Sequence, residues 1–133
     1  MYISRKTDYG LILMQALRDT FASGRFLTLD DIATHYHLPY AYLEKLAGVL
    51  KRSGVIEART GKNGGYRMAR DPKKITAQEI VDIFQQKPLM RCLSAKNRKK
   101  TCALLSVCPS RSGWRQIDTE IRKALSSLTI AKL

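Results

Sequence analysis

Apolar side chains recur at Leu11, Leu13, Met14, Leu17 and Phe21 across residues 5–22 with almost no helix breaker. That spacing predicts a helix that buries one face and stops at Ser23-Gly24. Thr28 opens a second helix, with Asp31 three residues on in capping-box spacing and Leu29, Ile32 and Ala33 on the inward side. The chain turns near His37-Leu38-Pro39, where a proline at the start of the next helix sacrifices no hydrogen bond. A third helix is expected from about Pro39 to Arg52, with Leu43, Leu46, Ala47 and Leu50 as its buried stripe and Ser53-Gly54 as its stop. Two short helices joined by a tight turn, the second basic at its end, are the parts of a helix-turn-helix.

The period then changes. Val55-Ile56-Glu57-Ala58 and Tyr66-Arg67-Met68-Ala69 flank the turn Gly61-Lys62-Asn63-Gly64-Gly65, which predicts a β-hairpin in the position of a wing. Thr76, with Glu79 in capping-box position, begins a helix burying Ile80, Ile83 and Phe84. Residues 87–109 read as an irregular, basic, cysteine-bearing loop. A last helix starts near Ser110, and its apolar positions Trp114, Ile117, Ile121, Leu125 and Leu128 are spaced 3, 4, 4 and 3. One narrow stripe on a terminal helix needs a partner surface, and a two-fold DNA reader needs such a helix–helix contact between two copies. The expected fold is therefore mainly α with a small β-hairpin wing. It comprises a winged helix-turn-helix over 1–86, a cysteine loop over 87–109, and a dimerisation helix with a C-terminal tail over 110–133.

Composition narrows the partner. With 133 residues, 44% of them apolar, the chain can build one core, and it has neither a long apolar run nor a signal-like start. A soluble, cytoplasmic, membrane-free protein is expected. The net charge of +13 favours a polyanion, and nine Lys or Arg stand between Lys45 and Lys74 against only Glu57 and Asp71. A second basic run is Lys96, Arg98, Lys99 and Lys100. No Ser/His/Asp set, phosphate-binding glycine loop or paired catalytic acids appear, so neither an enzyme nor a small-molecule substrate is expected. An electron-transfer protein and an RNA-binding module are the rival classes; the paired helices and wing favour double-stranded DNA.

On such a head the N-terminal half of the third helix meets base edges. Tyr40, Ala41, Glu44 and Lys45 are the candidates for that role. Glu44 is an acid on a basic face, where it repels phosphate but can accept from a cytosine amino group. Lys51, Arg52, Arg59, Lys62 and Arg67 are cast as phosphate contacts that position without specifying. Tyr42 is either a core or a phosphate-contacting residue.

The three cysteines, Cys92, Cys102 and Cys108, lie within one stretch, with nine and five residues between them. Such gaps suit an open loop around an iron–sulfur cluster, while a zinc ribbon shows close CxxC pairs. Cys108 is followed by Pro109, as in ferredoxin loops. The alternative is three free thiols, one or two of them oxidisable. Three thiolates leave one position for an oxygen or nitrogen donor. His35 and His37, two residues apart in the DNA-reading half, are poor candidates and read as surface residues.

The chain resembles the IscR/NsrR-type family of winged-helix iron–sulfur regulators. The resemblance rests on Thr7-Asp8-Tyr9-Gly10, Tyr42-Leu43-Glu44-Lys45, Gly61-Lys62-Asn63-Gly64-Gly65-Tyr66 and the three cysteines. The stretch Cys108-Pro109-Ser110-Arg111-Ser112-Gly113-Trp114 is most similar to regulators of SUF-type cluster assembly. The resemblance implies a homodimeric repressor of cluster-assembly genes holding a [2Fe-2S] or [4Fe-4S] cluster on Cys92, Cys102 and Cys108. The nitric-oxide-sensing branch, which shares the first helix's start and the wing turn, implies Asp8, donated by the other subunit, as fourth ligand. A nitric oxide sensor and a cluster-free thiol switch are the alternatives. Two departures stand out. Thr60 occupies the place where the family wing carries an arginine, with Arg59 one residue earlier, and the gap between the first two cysteines is longer than in many members.

Overall fold

The computed structural model describes residues 2–94 and 102–133. The basic run at Lys96, Arg98, Lys99 and Lys100 lies outside them. Helix α1 spans Arg5–Arg18, capped by Ser4, whose hydroxyl accepts from the Thr7 amide at 3.3 Å. It ends four residues before the expected end at 22. The buried Thr20 hydroxyl donates to the Leu17 carbonyl at 3.2 Å, and the Thr20, Phe21 and Gly24 amides bond three residues back. A hydroxyl competing for the carbonyls of the last turn tightens the chain out of α-helix.

Helix α2 (Leu29–Tyr36) starts on Thr28, which accepts from the Asp31 amide at 3.1 Å, and stops at His37 in the left-handed region with φ 53°. Helix α3 (Tyr40–Arg52) follows from Pro39. Strands β1 (Ile56–Arg59) and β2 (Gly65–Met68) pair antiparallel, with Ile56 opposite Met68, Glu57 opposite Arg67, Ala58 opposite Tyr66 and Arg59 opposite Gly65. Leu27 adds a further bridge to Tyr66, with amide–carbonyl bonds of 2.8 and 2.7 Å. Gly65, at φ 138°, has no room for a Cβ, which would lie 2.3 Å from the Leu27 carbonyl oxygen.

Helix α4 (Ala77–Phe84) begins on Thr76, which accepts from the Glu79 amide at 3.2 Å. Its Phe84 ring lies across α1 at Gly10, where a Cβ would come within 2.2 Å of the ring. Phe84 and Ile83 are half-buried, packed against the core rather than inside it. The core itself gathers Leu13, Met14 and Leu17 of α1, Leu43 and Leu50 of α3, Val55, Ile56 and Met68 of the wing, and Ile75 and Ile80.

Helix α5 (Arg111–Ser127) leans on α4 through Arg122, which bonds Asp118 at 3.0 Å and reaches Asp82 of α4 at 3.4 Å. None of its residues is buried: Trp114 and Ile117 are exposed, and Ile121 and Leu125 half-buried. Leu128, expected on the same stripe, stands outside the helix. Its carbonyl accepts from the Ala77 amide at 2.8 Å, Thr129 bridges Thr76, and the Ile130 amide donates to the Ile75 carbonyl at 2.8 Å. Pairing with residues 75–77 pulls the chain out of helix, and Ile130 is fully buried in the core of the head. The tail thus returns to the N-terminal half of the chain.

Candidate nucleic-acid interface and cysteine segment

The stripe of α3 that buries Leu43, Leu46, Ala47 and Leu50 leaves the opposite face open. Tyr40, Ala41, Glu44 and Lys45 are exposed along its first turns, and Lys51 and Arg52 at its end. Tyr42 points the other way, half-buried and edge-on to Tyr9 of α1 with ring centroids 5.7 Å apart. Its geometry is that of a packing residue between the two helices. Among the described residues no cation pairs with Glu44, and none of Lys45, Lys51, Arg52, Arg59, Lys62, Lys73 and Lys74 has an ion-pair partner. Acids neutralise other cations of the region: Glu57 pairs with Arg67, and Glu79 with Arg70. The cations of α3, the wing and the turn after it that remain, Lys45, Lys51, Arg52, Arg59, Lys62, Lys73 and Lys74, thus carry charge that no carboxylate among the described residues offsets.

At the wing, Arg59, Thr60 and Lys62 are exposed. Strand side chains alternate faces, so Ile56 and Met68 enter the core while Glu57, Arg59 and Arg67 share the outer face. The Arg59 guanidinium lies over the Phe26 ring at 4.2 Å from its centroid and donates to the Asn63 carbonyl at 2.8 Å. Arg67 lies over the same ring at 4.5 Å, donates to the Gly24 carbonyl at 3.2 Å and is bonded to Glu57. Arg67, cast from the sequence as a phosphate contact, is thus engaged within the fold. Phe26 escaped sequence reasoning: it sits in a connecting segment outside any periodic stripe, and its partners, Arg59 and Arg67, come from distant strands.

Cys92 lies half-buried in the single 3₁₀ turn Arg91–Leu93, Cys102 is exposed, and Cys108 is half-buried just before α5; all three are free. Asp8 is exposed in the first turn of α1. Within one protomer, and among the described residues, no three His, Cys, Asp or Glu side chains converge on a metal-sized site. The donor chemistry nevertheless fits an iron–sulfur cluster. Three free thiols belong to one segment, and the Nε of Arg111, three residues after Cys108, is buried without a partner among the described residues. A buried donor of that kind is ordinarily paired with an acceptor, and the guanidinium's positive charge suits an anionic one. The segment is anchored to α5, where Asp118 accepts from the Leu89 amide at 3.3 Å. The bond from Arg122 to Asp118, with the nearby carboxylate of Asp82, holds the Arg122 guanidinium's pKa above its ordinary value, so this link to α4 stays charged. His35 and His37 are exposed, His35 edge-on to Tyr36.

A family model described as an iron-dependent transcriptional regulator, Rrf2, matches residues 3–133. The chain is 33% identical over its whole length to 87% of slr0846 of Synechocystis sp., an HTH-type transcriptional regulator by name. Among solved structures, IscR of T. potens superposes with a TM-score of 0.77 at 27% identity, covering 99% of this chain and 85% of that one. CymR, the global cysteine regulator of B. subtilis, superposes with a TM-score of 0.80 at 26% identity, covering 99% and 95%. These are transcription regulators, not enzymes, and the two solved winged-helix structures superpose over nearly the whole of this chain. The chain belongs to the Rrf2 family of iron-dependent transcriptional regulators.

Proposed function

We propose that this regulator is a cytoplasmic homodimer that binds a two-fold-related duplex operator and represses cluster-assembly genes. It would sense iron–sulfur status through a [2Fe-2S] or [4Fe-4S] cluster held by Cys92, Cys102 and Cys108. The observation that carries the reading is the segment of three free thiols ending at the buried Arg111 Nε, which has no partner among the described residues. When bound, such a cluster supplies a centre whose charge and integrity respond to oxidants and small diatomic ligands. The thiolates would hold it, Arg111 would donate to it, and Asp8 of the partner subunit would offer the oxygen donor. On the head, Tyr40, Ala41, Glu44 and Lys45 would face base edges. Lys51, Arg52, Arg59, Thr60 and Lys62 would face phosphates. In this scheme residues 1–86 read DNA, 87–109 sense, and 110–133 join two protomers.

Protein purified without oxygen should be brown, carry iron and acid-labile sulfide, and show cluster absorption and Mössbauer spectra. Cys92→Ala, Cys102→Ala and Cys108→Ala should each abolish these signals. Zinc without sulfide in the native protein would overturn the assignment, and DNA binding before and after cluster loss reads the coupling. A cluster-free thiol switch is the second reading, favoured by the likeness to CymR and by the exposed Cys102. It requires a colourless protein whose DNA affinity changes on reversible oxidation.

A further inference from the structure

We propose that Phe26 is a positioning residue for DNA binding, which holds the Arg59 guanidinium in place at the wing before DNA arrives. The inference rests on the reading of Arg59 as a DNA contact. The bridge between Leu27 and Tyr66 makes the segment before α2 a one-residue third strand beside β2. Leu27 and Tyr66 share a face, so Phe26 lies on the opposite, outer face with Arg67 and Arg59. Gly65 stands directly across from Arg59 and has no side chain, so nothing on β2 separates Arg59 from the Phe26 ring. The guanidinium settles 4.2 Å from the ring centroid, and its bond to the Asn63 carbonyl fixes its orientation against the wing turn.

The platform is itself held. Arg67 stacks on the ring at 4.5 Å, donates to the Gly24 carbonyl at 3.2 Å, and has its charge neutralised by Glu57. The segment bearing Phe26 is thereby tied to β2, and of the two stacked cations only Arg59 keeps an unpaired charge among the described residues. An exposed arginine loses rotamer freedom when it grips a phosphate; one already held by a ring and a carbonyl loses less. Arg59 departs by one place from the family's arginine, and Phe26 supplies the surface that gives this displaced arginine a fixed position.

Phe26→Leu keeps an apolar side chain and removes the ring, whereas Phe26→Tyr keeps the ring face. Affinity is measured for a mixed-sequence duplex of about 30 base pairs, long enough for two half-sites, with thermal unfolding followed in parallel. Arg59→Ala should weaken binding and lower its salt slope by about 1. Phe26→Tyr should bind like the parent, and Phe26→Leu should lose about three- to five-fold. In the Arg59→Ala background Phe26→Leu should cost nothing further. An unaffected Arg59→Ala protein would remove the reading on which the inference stands. A weakened Arg59→Ala with a neutral Phe26→Leu, or the same Phe26→Leu loss in both backgrounds, would overturn the inference alone. The unaltered protein gives a check independent of folding: the Arg59 side-chain protons should show upfield ring-current shifts in NMR spectra. Ordinary shifts would also overturn it.

Discussion

On the proposed reading, Glu44 selects rather than grips. It is exposed on the open face of α3, beside Lys45 and one turn past Tyr40, and no cation among the described residues neutralises it. An unpaired carboxylate near phosphates costs affinity on every sequence unless a base edge compensates for it. Glu44→Ala should therefore tighten binding to mixed-sequence DNA while relaxing preference at one base pair per half-site by roughly 1–3 kcal/mol. Lys62→Ala should weaken binding to all sequences alike and reduce the salt slope by about 1. Titrations on a panel of single-base operator variants at several salt concentrations separate the two. Equal effects of both substitutions on every sequence would remove Glu44 as a specificity residue. Tyr42, two residues before it, is half-buried with its ring edge-on to Tyr9.

At the scale of elements, α5 is the incomplete one. Seventeen residues of helix contain none that is buried, and Trp114 and Ile117 remain 38% and 44% exposed. In the proposed dimer a seam between two such helices would cover that stripe, so Trp114→Glu or Ile117→Glu should raise the dimer dissociation constant by about 100-fold, ~3 kcal/mol. Apparent operator affinity should fall with it, as read by analytical ultracentrifugation and duplex titration. A parent protein that is already monomeric at micromolar concentration would dispose of the seam. The helices were legible from local signals: Thr28 and Thr76 each cap as their capping-box spacing foretold, and the stripe of α3 is buried in full. What escaped was non-local. The end of α1 turns on one hydroxyl bond from Thr20, and the departure of Leu128 from α5 depends on a strand-like pairing with residues some fifty positions earlier. Phe26 depends on the register of a hairpin that no window around it contains. For the cysteines, the sequence carried donor type and spacing, but convergence of those donors is a matter of assembly between segments.

Over the whole molecule, the tail decides which bodies can move. Ile130 is buried in the core cluster, its amide bonded to the Ile75 carbonyl, Thr129 bridges Thr76, and Gln15 and Arg18 of α1 donate to the Leu133 and Ile130 carbonyls at 3.2 and 3.4 Å. The C-terminal end of α5 is therefore stitched to its own head, and in the proposed dimer a change in spacing between two recognition helices would come from one protomer turning against the other. On that proposal a signal would act across the seam, since only a difference in geometry between two states can alter DNA affinity. Asp8 is the residue proposed for this: it is exposed on the first turn of α1, and the neighbouring Thr7 is tied through Gln85 to the start of the segment leading to Cys92. If Asp8 of the partner subunit completes the set of Cys92, Cys102 and Cys108, the site becomes a clasp between protomers. Hypothesis: Asp8→Ala should leave iron and sulfide content largely intact, because three thiolates remain. It should shift the cluster's absorption and Mössbauer parameters, and hold DNA affinity within about two-fold whether the cluster is present or removed. An Asp8→Ala protein with parental spectra and parental switching would reduce Asp8 to an acid that favours the positive end of its own helix.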